Sequence, residues 1–180
     1  LASGGRIRQG GKLTAVPLAY KTRNFSRDGA ARSAMTIPWG DVYTAFISTG
    51  IPNIEVYMAL PPASIARAQR WRWLQPLLGL PPLQRFLKGR VQATVRGPSA
   101  DRRGATGCHV WGEVRAADGV QRAAQLHTPN GYDVTVWGAL GIATRLLAQA
   151  PSGGYYTPSQ LMGARWILDM PGVQRIDPET

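Results

Sequence analysis

The sequence predicts an α+β fold, a largely antiparallel sheet covered by helices. Three observations carry that expectation. Strand-like runs meet in pairs across Asp28-Gly29 and across Asp118-Gly119, and Asp-Gly between such runs is a strong hairpin signal. Helical patterns fall between these hairpins instead of alternating strictly with single strands, which favours antiparallel pairing over a wound parallel sheet. No G-x-G-x-x-G follows a strand-like run, so the sequence lacks a dinucleotide fingerprint of its own.

The elements follow in order. Leu1 to Gly5 reads as a helix end closed by glycine, and with no initiator Met the chain is expected to be a fragment. Lys12 to Pro17 is a short strand. Lys21 to Phe25 and Ala30 to Ile37 form the first hairpin. Gly40 breaks the chain, Asp41 is a good N-cap, and Val42, Ala45 and Phe46 recur at helical spacing up to Thr49. Gly50 ends that helix, Pro52 prevents its continuation, and Asn53 to Ala59 is a strand. Ser64 is expected to cap a helix running to about Gly79, and Pro81-Pro82 to start another reaching about Val95. Gly97 to Gly107 is a polar loop. Cys108 to Ala116 and Val120 to His127 form the second hairpin. After the turn at Thr128-Pro129-Asn130-Gly131, Asp133 to Ala150 is apolar all round, which predicts a helix buried between layers. Thr157-Pro158-Ser159-Gln160 is a capping box with proline at the first helical position, opening a last helix to Leu168. Val173 to Ile176 closes the sheet. Helices are expected on one face of it, with a missing domain or a second subunit on the other.

At 180 residues the chain can bury a core without staples and fits one domain, with a pair of lobes as the alternative. Its single Cys108 rules out an internal disulfide, points to a reducing, cytoplasmic setting, and reads as a small buried hydrophobe beside a strand. No signal peptide or membrane-spanning run is present in the sequence. The net charge of +11 invites nucleic acid as a partner. The basic residues are scattered singly and no zinc-finger, helix-turn-helix or RNP-like pattern occurs, so nucleic acid is not the expected partner.

Candidate chemistry is sparse. Gly5, Gly10, Gly11 and Lys12 imitate a phosphate loop, but Arg6 and Leu13 stand where it needs glycine and a hydroxyl. His109 and His127 fall in the second hairpin, where a satisfied strand histidine is the ordinary outcome. No metal-ligand spacing occurs, so no metal is expected. Lys21 and Arg23 stand at i, i+2, on one face of a strand, where they would hold a carboxylate or phosphate or form salt bridges. Three glycine-bearing corners carry Trp39 and Asp41, Asn130, and Tyr156. Helix starts favour anions, so Lys21, Arg23, Trp39, Asp41, Asn130 and Tyr156 are expected to converge on one substrate-binding cleft at the sheet's edge. Arg67, Arg70, Trp71, Arg72, Trp73, Leu74, Leu77, Leu78, Leu83, Phe86, Leu87 and Lys88 mix basic, tryptophan and aliphatic residues, as suits a membrane interface or an acyl-chain substrate. Adjacent Trp71 and Trp73 cannot share a helical face, which favours helices packed on the sheet with arginine stems over the rim.

A family resemblance joins these segments. IPWGD followed by STGIPNIEVYMA (Ile37 to Ala59) is similar to the C-terminal half of the saccharopine dehydrogenase-like oxidoreductases of bacteria. The likeness continues in GGRIRQGGKL (Gly4 to Leu13), VPLAYKTR (Val16 to Arg23), VWGEV (Val110 to Val114), TPNGY (Thr128 to Tyr132) and GGYYTPSQLMGA (Gly153 to Ala164), in the family's order. It departs at Phe25-Ser26-Arg27 and at Arg165. The resemblance implies the substrate-side, non-Rossmann domain of a two-domain dehydrogenase. NAD(P) would be bound by an N-terminal Rossmann domain upstream, with none bound by this chain alone. Hydride transfer to an unknown, lipid-like substrate is implied, since such proteins include relatives of trans-acting enoyl reductases. Expected partners are that Rossmann domain, a second copy in a homodimer, and a lipid or membrane surface. The alternative is a non-catalytic lipid-binding or dimerisation module.

Overall fold

Gly10 and Gly11 set the first turn. Their φ values of +55° and +79° are those of a two-residue hairpin loop, open to glycine at both positions. They join β1 (Gly5–Gln9) to β2 (Lys12–Val16), antiparallel with Gln9 opposite Lys12. The expected strand at Lys12 is present, and its partner is the stretch that imitates a phosphate loop. The computed structural model describes residues 4–27, 30–74, 80–94 and 106–176. These belong to two compact units, Leu1–Arg96 and Gly97–Thr180.

In the first unit, β3 (Thr22–Arg27), β4 (Ala30–Thr36) and β5 (Tyr57–Ala59) form an antiparallel sheet in that order. Arg27 lies opposite Ala30, as a two-residue hairpin requires, while Asp28-Gly29 itself lies outside the described residues. Helix α1 (Asp41–Thr49) has the expected bounds, but its cap is Gly40 and no side chain caps it. Asp41 is instead its first residue, where a carboxylate still suits the helix dipole. Gly50 closes α1 at φ +70°, its N–H donating to the Phe46 carbonyl at 2.8 Å.

The strand expected over Asn53 to Ala59 is divided. Ile54 makes an isolated bridge to Arg8, and only Tyr57 to Ala59 join β4. Helix α2 (Pro62–Arg70) starts after Pro61, which places Ser64 inside it and not at the cap. A 3₁₀ turn at Arg72–Leu74 follows, and the remainder of the expected helix, up to Gly79, lies outside the described residues. Helix α3 spans Pro81–Thr94. The core forms where α2 lies on one sheet face. Ile65 packs with Ala19, Met35 and Ile37, and Val56, Met58, Leu60 and Ala68 surround them.

In the second unit, β6 (Cys108–Arg115), β7 (Gln121–Thr128) and β8 (Gln174–Ile176) form a third antiparallel sheet. Asp118-Gly119 makes the predicted turn: Gly119 has φ +87°, and Val120 N–H donates to Asp118 Oδ1 at 2.9 Å. Helix α4 covers Gly131–Ala148 and α5 Pro158–Met162, the latter with both bonds of the predicted capping box. The last helix stops there, because Gly163 ends it at φ +89° and a 3₁₀ turn at Trp166–Asp169 follows.

The α+β expectation holds, and one expectation, the burial of α4, is overturned. Antiparallel pairing holds throughout the described residues, as an α+β fold requires, but the pairing is divided among three small sheets. Helix α4 is not buried between layers: it has no buried residue, and Leu140 and Leu147 are 62% and 90% exposed. Its inner side is built of small residues, Gly138 beside Met170 and Gly141 against Trp166. Val136, Leu140, Leu146 and Leu147 are left on the outer side, with Val134 and Ile142 half-buried. Among the described residues no helix is long and apolar enough to cross a membrane.

Candidate functional site

Alternation along NIEVYMA decides what the first unit's main sheet presents. Val56, Met58 and Leu60 turn toward the core cluster. Glu55 and Tyr57, at the intervening positions, therefore face the other way. Tyr57 pairs with Thr36, and Thr36 N–H in turn donates to the Lys21 carbonyl at 3.0 Å. That register brings Lys21 and Glu55 together across the central strand. Lys21 Nζ donates to Glu55 Oε1, and the Tyr57 hydroxyl donates to Glu55 Oε2 at 2.6 Å.

The charges in this network are fixed by their neighbours. Partial burial pushes the Glu55 carboxyl up, but bonds from Lys21 and Tyr57 and the nearby charge of Arg23 more than offset it, leaving its pKa below the ordinary 4.5. The bond to Glu55 raises the Lys21 ammonium above its usual 10.5. Burial and the same carboxylate push the Tyr57 hydroxyl up, so it stays a proton donor at neutral pH. The result is an ionised carboxylate held between a cation and a neutral phenol. It can orient a polar group, but the phenol is not primed to ionise.

A second polar device holds the first unit together. Arg8, 5% exposed, donates through Nε to the Val42 carbonyl at 3.0 Å and through Nη1 to the Gly11 carbonyl at 2.7 Å. Its guanidinium lies 4.1 Å from the Phe46 ring centroid. Its backbone exchanges two bonds with Ile54, and the Asn53 side chain accepts from Gly10 N–H at 2.9 Å. One buried side chain thus ties the first hairpin to α1 and to the segment before β5.

The six residues expected to share a cleft are divided between the units. Lys21, Arg23, Trp39 and Asp41 belong to the first, Asn130 and Tyr156 to the second. Within the first unit, Lys21 and Arg23 come together at Glu55. Trp39 is 57% exposed and Asp41 exposed, flanking the glycine that starts α1. In the second unit Asn130 is the N-cap of α4: its Oδ1 accepts from Tyr132 N–H at 3.1 Å and its Nδ2 donates to Thr106 at 2.8 Å. The Tyr156 hydroxyl donates to the Ser152 carbonyl at 2.9 Å, beside the cap of α5. Each therefore also has a local structural role.

Other candidates resolve differently. His109 and His127 stand directly opposite each other, ring centroids 4.6 Å apart. Cys108 is exposed and not buried as expected, since its strand forms an open edge of the third sheet. No group of three or more potential metal ligands occurs among the described residues. The Gly10-Gly11 turn joins two antiparallel strands, so its residues do not fit a pyrophosphate cradle, which needs a strand leading into a helix. Helix α2 packs on the sheet through Ile65 and Ala68, as expected, while Arg67, Arg70, Trp71 and Trp73 are exposed.

Glu55 and Tyr57 escaped the sequence argument. Their signal was present: a lone carboxylate and a tyrosine at i, i+2, opposite in phase to Ile54, Val56 and Met58. Arg8 gave no such signal, since a buried arginine and an exposed one look alike in sequence. No family model, curated protein or solved structure matches this chain.

Proposed function

We propose that this chain is the substrate-side part of an NAD(P)-dependent oxidoreductase of the saccharopine dehydrogenase-like kind. A nucleotide-binding domain encoded upstream would hold the cofactor, as the ordered blocks of resemblance imply. When bound there, the nicotinamide supplies the hydride. The substrate's carboxylate or phosphate is held by Lys21 and Arg23 of the first unit.

The observation that carries this proposal is the Lys21–Glu55–Tyr57 network beside Arg23, on the face of the sheet turned away from the core. Core packing does not require polar groups there. Glu55 fixes the position of the Lys21 ammonium and the Tyr57 hydroxyl, so both are oriented before a ligand arrives, which lowers the ordering cost of binding.

Calorimetric titration with NADPH tests it, on residues 1–180 and on a protein extended upstream. The extended protein is expected to bind NADPH and the shorter one not, and Arg23→Ala in the former to raise KM more than it lowers kcat. Stoichiometric, micromolar binding by residues 1–180 alone would overturn the proposal. Failure of the extended protein to bind NADPH would overturn it equally.

A further inference from the structure

Between Val56 and Ala100 the chain carries seven arginine or lysine residues and no carboxylate. Residues 1–27 also carry six cations and no carboxylate, but there Arg8 is buried and Lys21 is paired with Glu55, whereas the described cations are all exposed in the stretch after Val56. Within that stretch α2 is already committed on one side, where Ile65 and Ala68 join the core. Its other side is open: Ala63, Ala66, Arg67, Arg70 and Trp71 line a shallow cavity of about 330 Å³. The chain then breaks from helix into the 3₁₀ turn, and Trp71 and Trp73 are 52% and 70% exposed.

Helix α3 repeats the composition with a different geometry. Leu83, Phe86, Leu87 and Arg90 recur at i, i+3, i+4 and i+7, on one stripe. Arg85 and Lys88 fall on the opposite side. Phe86 is 60% exposed, and Leu80, just before the helix, 49%. An amphipathic helix normally hides such a stripe against its own domain. Here Phe86 and Leu87 are exposed and Leu83 is half-buried.

We infer that α2, the turn after it and α3 form a docking surface for an anionic lipid bilayer. Charge complementarity is one-sided over the whole stretch, which suits a surface of phosphate headgroups. Tryptophan and arginine with long apolar stems are the side chains that settle at the boundary of headgroup and acyl chain. Exposed Leu80, Phe86 and Leu87 distinguish a bilayer from a nucleic acid: an acyl layer buries them, whereas a sugar-phosphate backbone does not. The surface lies in the first unit and needs neither cofactor nor substrate.

Co-sedimentation of the full chain with sucrose-loaded vesicles tests this. Vesicles rich in phosphatidylglycerol are expected to bind at least about tenfold more protein than phosphatidylcholine alone, because several cations act together. Tryptophan emission should shift to the blue on binding. Trp73→Ala with Phe86→Ala should reduce the blue shift, leaving the part due to Trp71, and weaken binding about tenfold or more. Arg70→Gln with Arg72→Gln should weaken binding to the anionic vesicles only. All four positions are exposed, and circular dichroism checks that the variants fold. Arg115→Gln with Arg122→Gln removes the same charge from the second unit and should leave binding unchanged. An equal loss from that control would overturn the inference, because net charge alone would then account for adhesion. Binding without a blue shift, equal binding to neutral vesicles, or tighter binding to a DNA duplex than to the anionic vesicles would each overturn it as well.

Discussion

Replacing Arg8 by lysine should destabilise the first unit by about 2–4 kcal/mol. The figure follows from what each cation can reach. Lysine keeps the charge at a site where the arginine is 5% exposed, so the cost of removing a cation from water is common to both and cancels. What differs is the fork. Arg8 satisfies the Val42 and Gly11 carbonyls from two nitrogens of one planar guanidinium. A single ammonium reaches one of them. The lost charge-assisted bond is worth about 1.5–3 kcal/mol and the weaker contact over Phe46 about 0.5–1 kcal/mol more. Urea unfolding followed by circular dichroism and tryptophan emission measures the total. Hydrogen exchange locates it: the Arg8 and Ile54 amides, bonded to each other's carbonyls at 2.9 and 3.0 Å, should lose protection before the β3–β4 ladder does. A change under about 0.5 kcal/mol, or unchanged protection at those two amides, would refute the claim that Arg8 holds α1 to the first hairpin.

Two further outcomes are expected. Gly141→Ala should destabilise by about 1–3 kcal/mol although alanine is the better helix former, because its Cβ would fall 2.4 Å from the Trp166 ring; a rise in melting temperature would contradict that packing. Glu55→Gln should cost only about 0.5–1 kcal/mol at neutral pH, since Lys21 is half exposed. The pH profile gives that cost a shape. Glu55 has a depressed pKa, so its contribution is full above the ordinary 4.5 and is lost as pH falls through the lower folded value. Lys21 has a raised pKa, so its contribution is full below 10.5 and is lost as pH rises through the higher folded value. The difference between wild type and variant, measured by urea midpoints, should stay level between those limits and close beyond both. A gap that persists in strong acid would show that Glu55 acts through packing and not through charge.

Local signals in the sequence were reliable where one or two residues decide the backbone. Gly50, Asp118-Gly119 and the Thr157–Gln160 box each act within a few residues, and each formed what its chemistry demands. The α+β class followed from the same hairpins. Signals that depend on distant partners were not legible. β1 was hidden because a double glycine serves a hairpin and a phosphate loop alike, and only the pairing with β2 distinguishes them. Apolar composition predicted burial of α4, but burial depends on what lies against each side, and Gly138 and Gly141 brought Met170 and Trp166 to one side only. At the candidate site Lys21 and Arg23 could be placed on one face from their spacing. Their carboxylate neighbour could not, since it lies 34 residues from Lys21 and meets it only through the register of the central strand.

The bonds around Arg8 also bear on the order in which the first unit assembles. The Arg8–Val42 bond joins residues 34 apart in sequence and the Gly10–Asn53 bond residues 43 apart, whereas the first two hairpins pair near neighbours. Closing a longer loop costs more chain entropy, so the hairpins form first and the clamp closes over them afterwards. Interactions that form after the rate-limiting barrier leave the folding rate unchanged and govern how fast the native state opens. If the Arg8–Val42 bond closes after that barrier, loss of Arg8 should leave refolding near its original speed and shorten the lifetime of the folded unit.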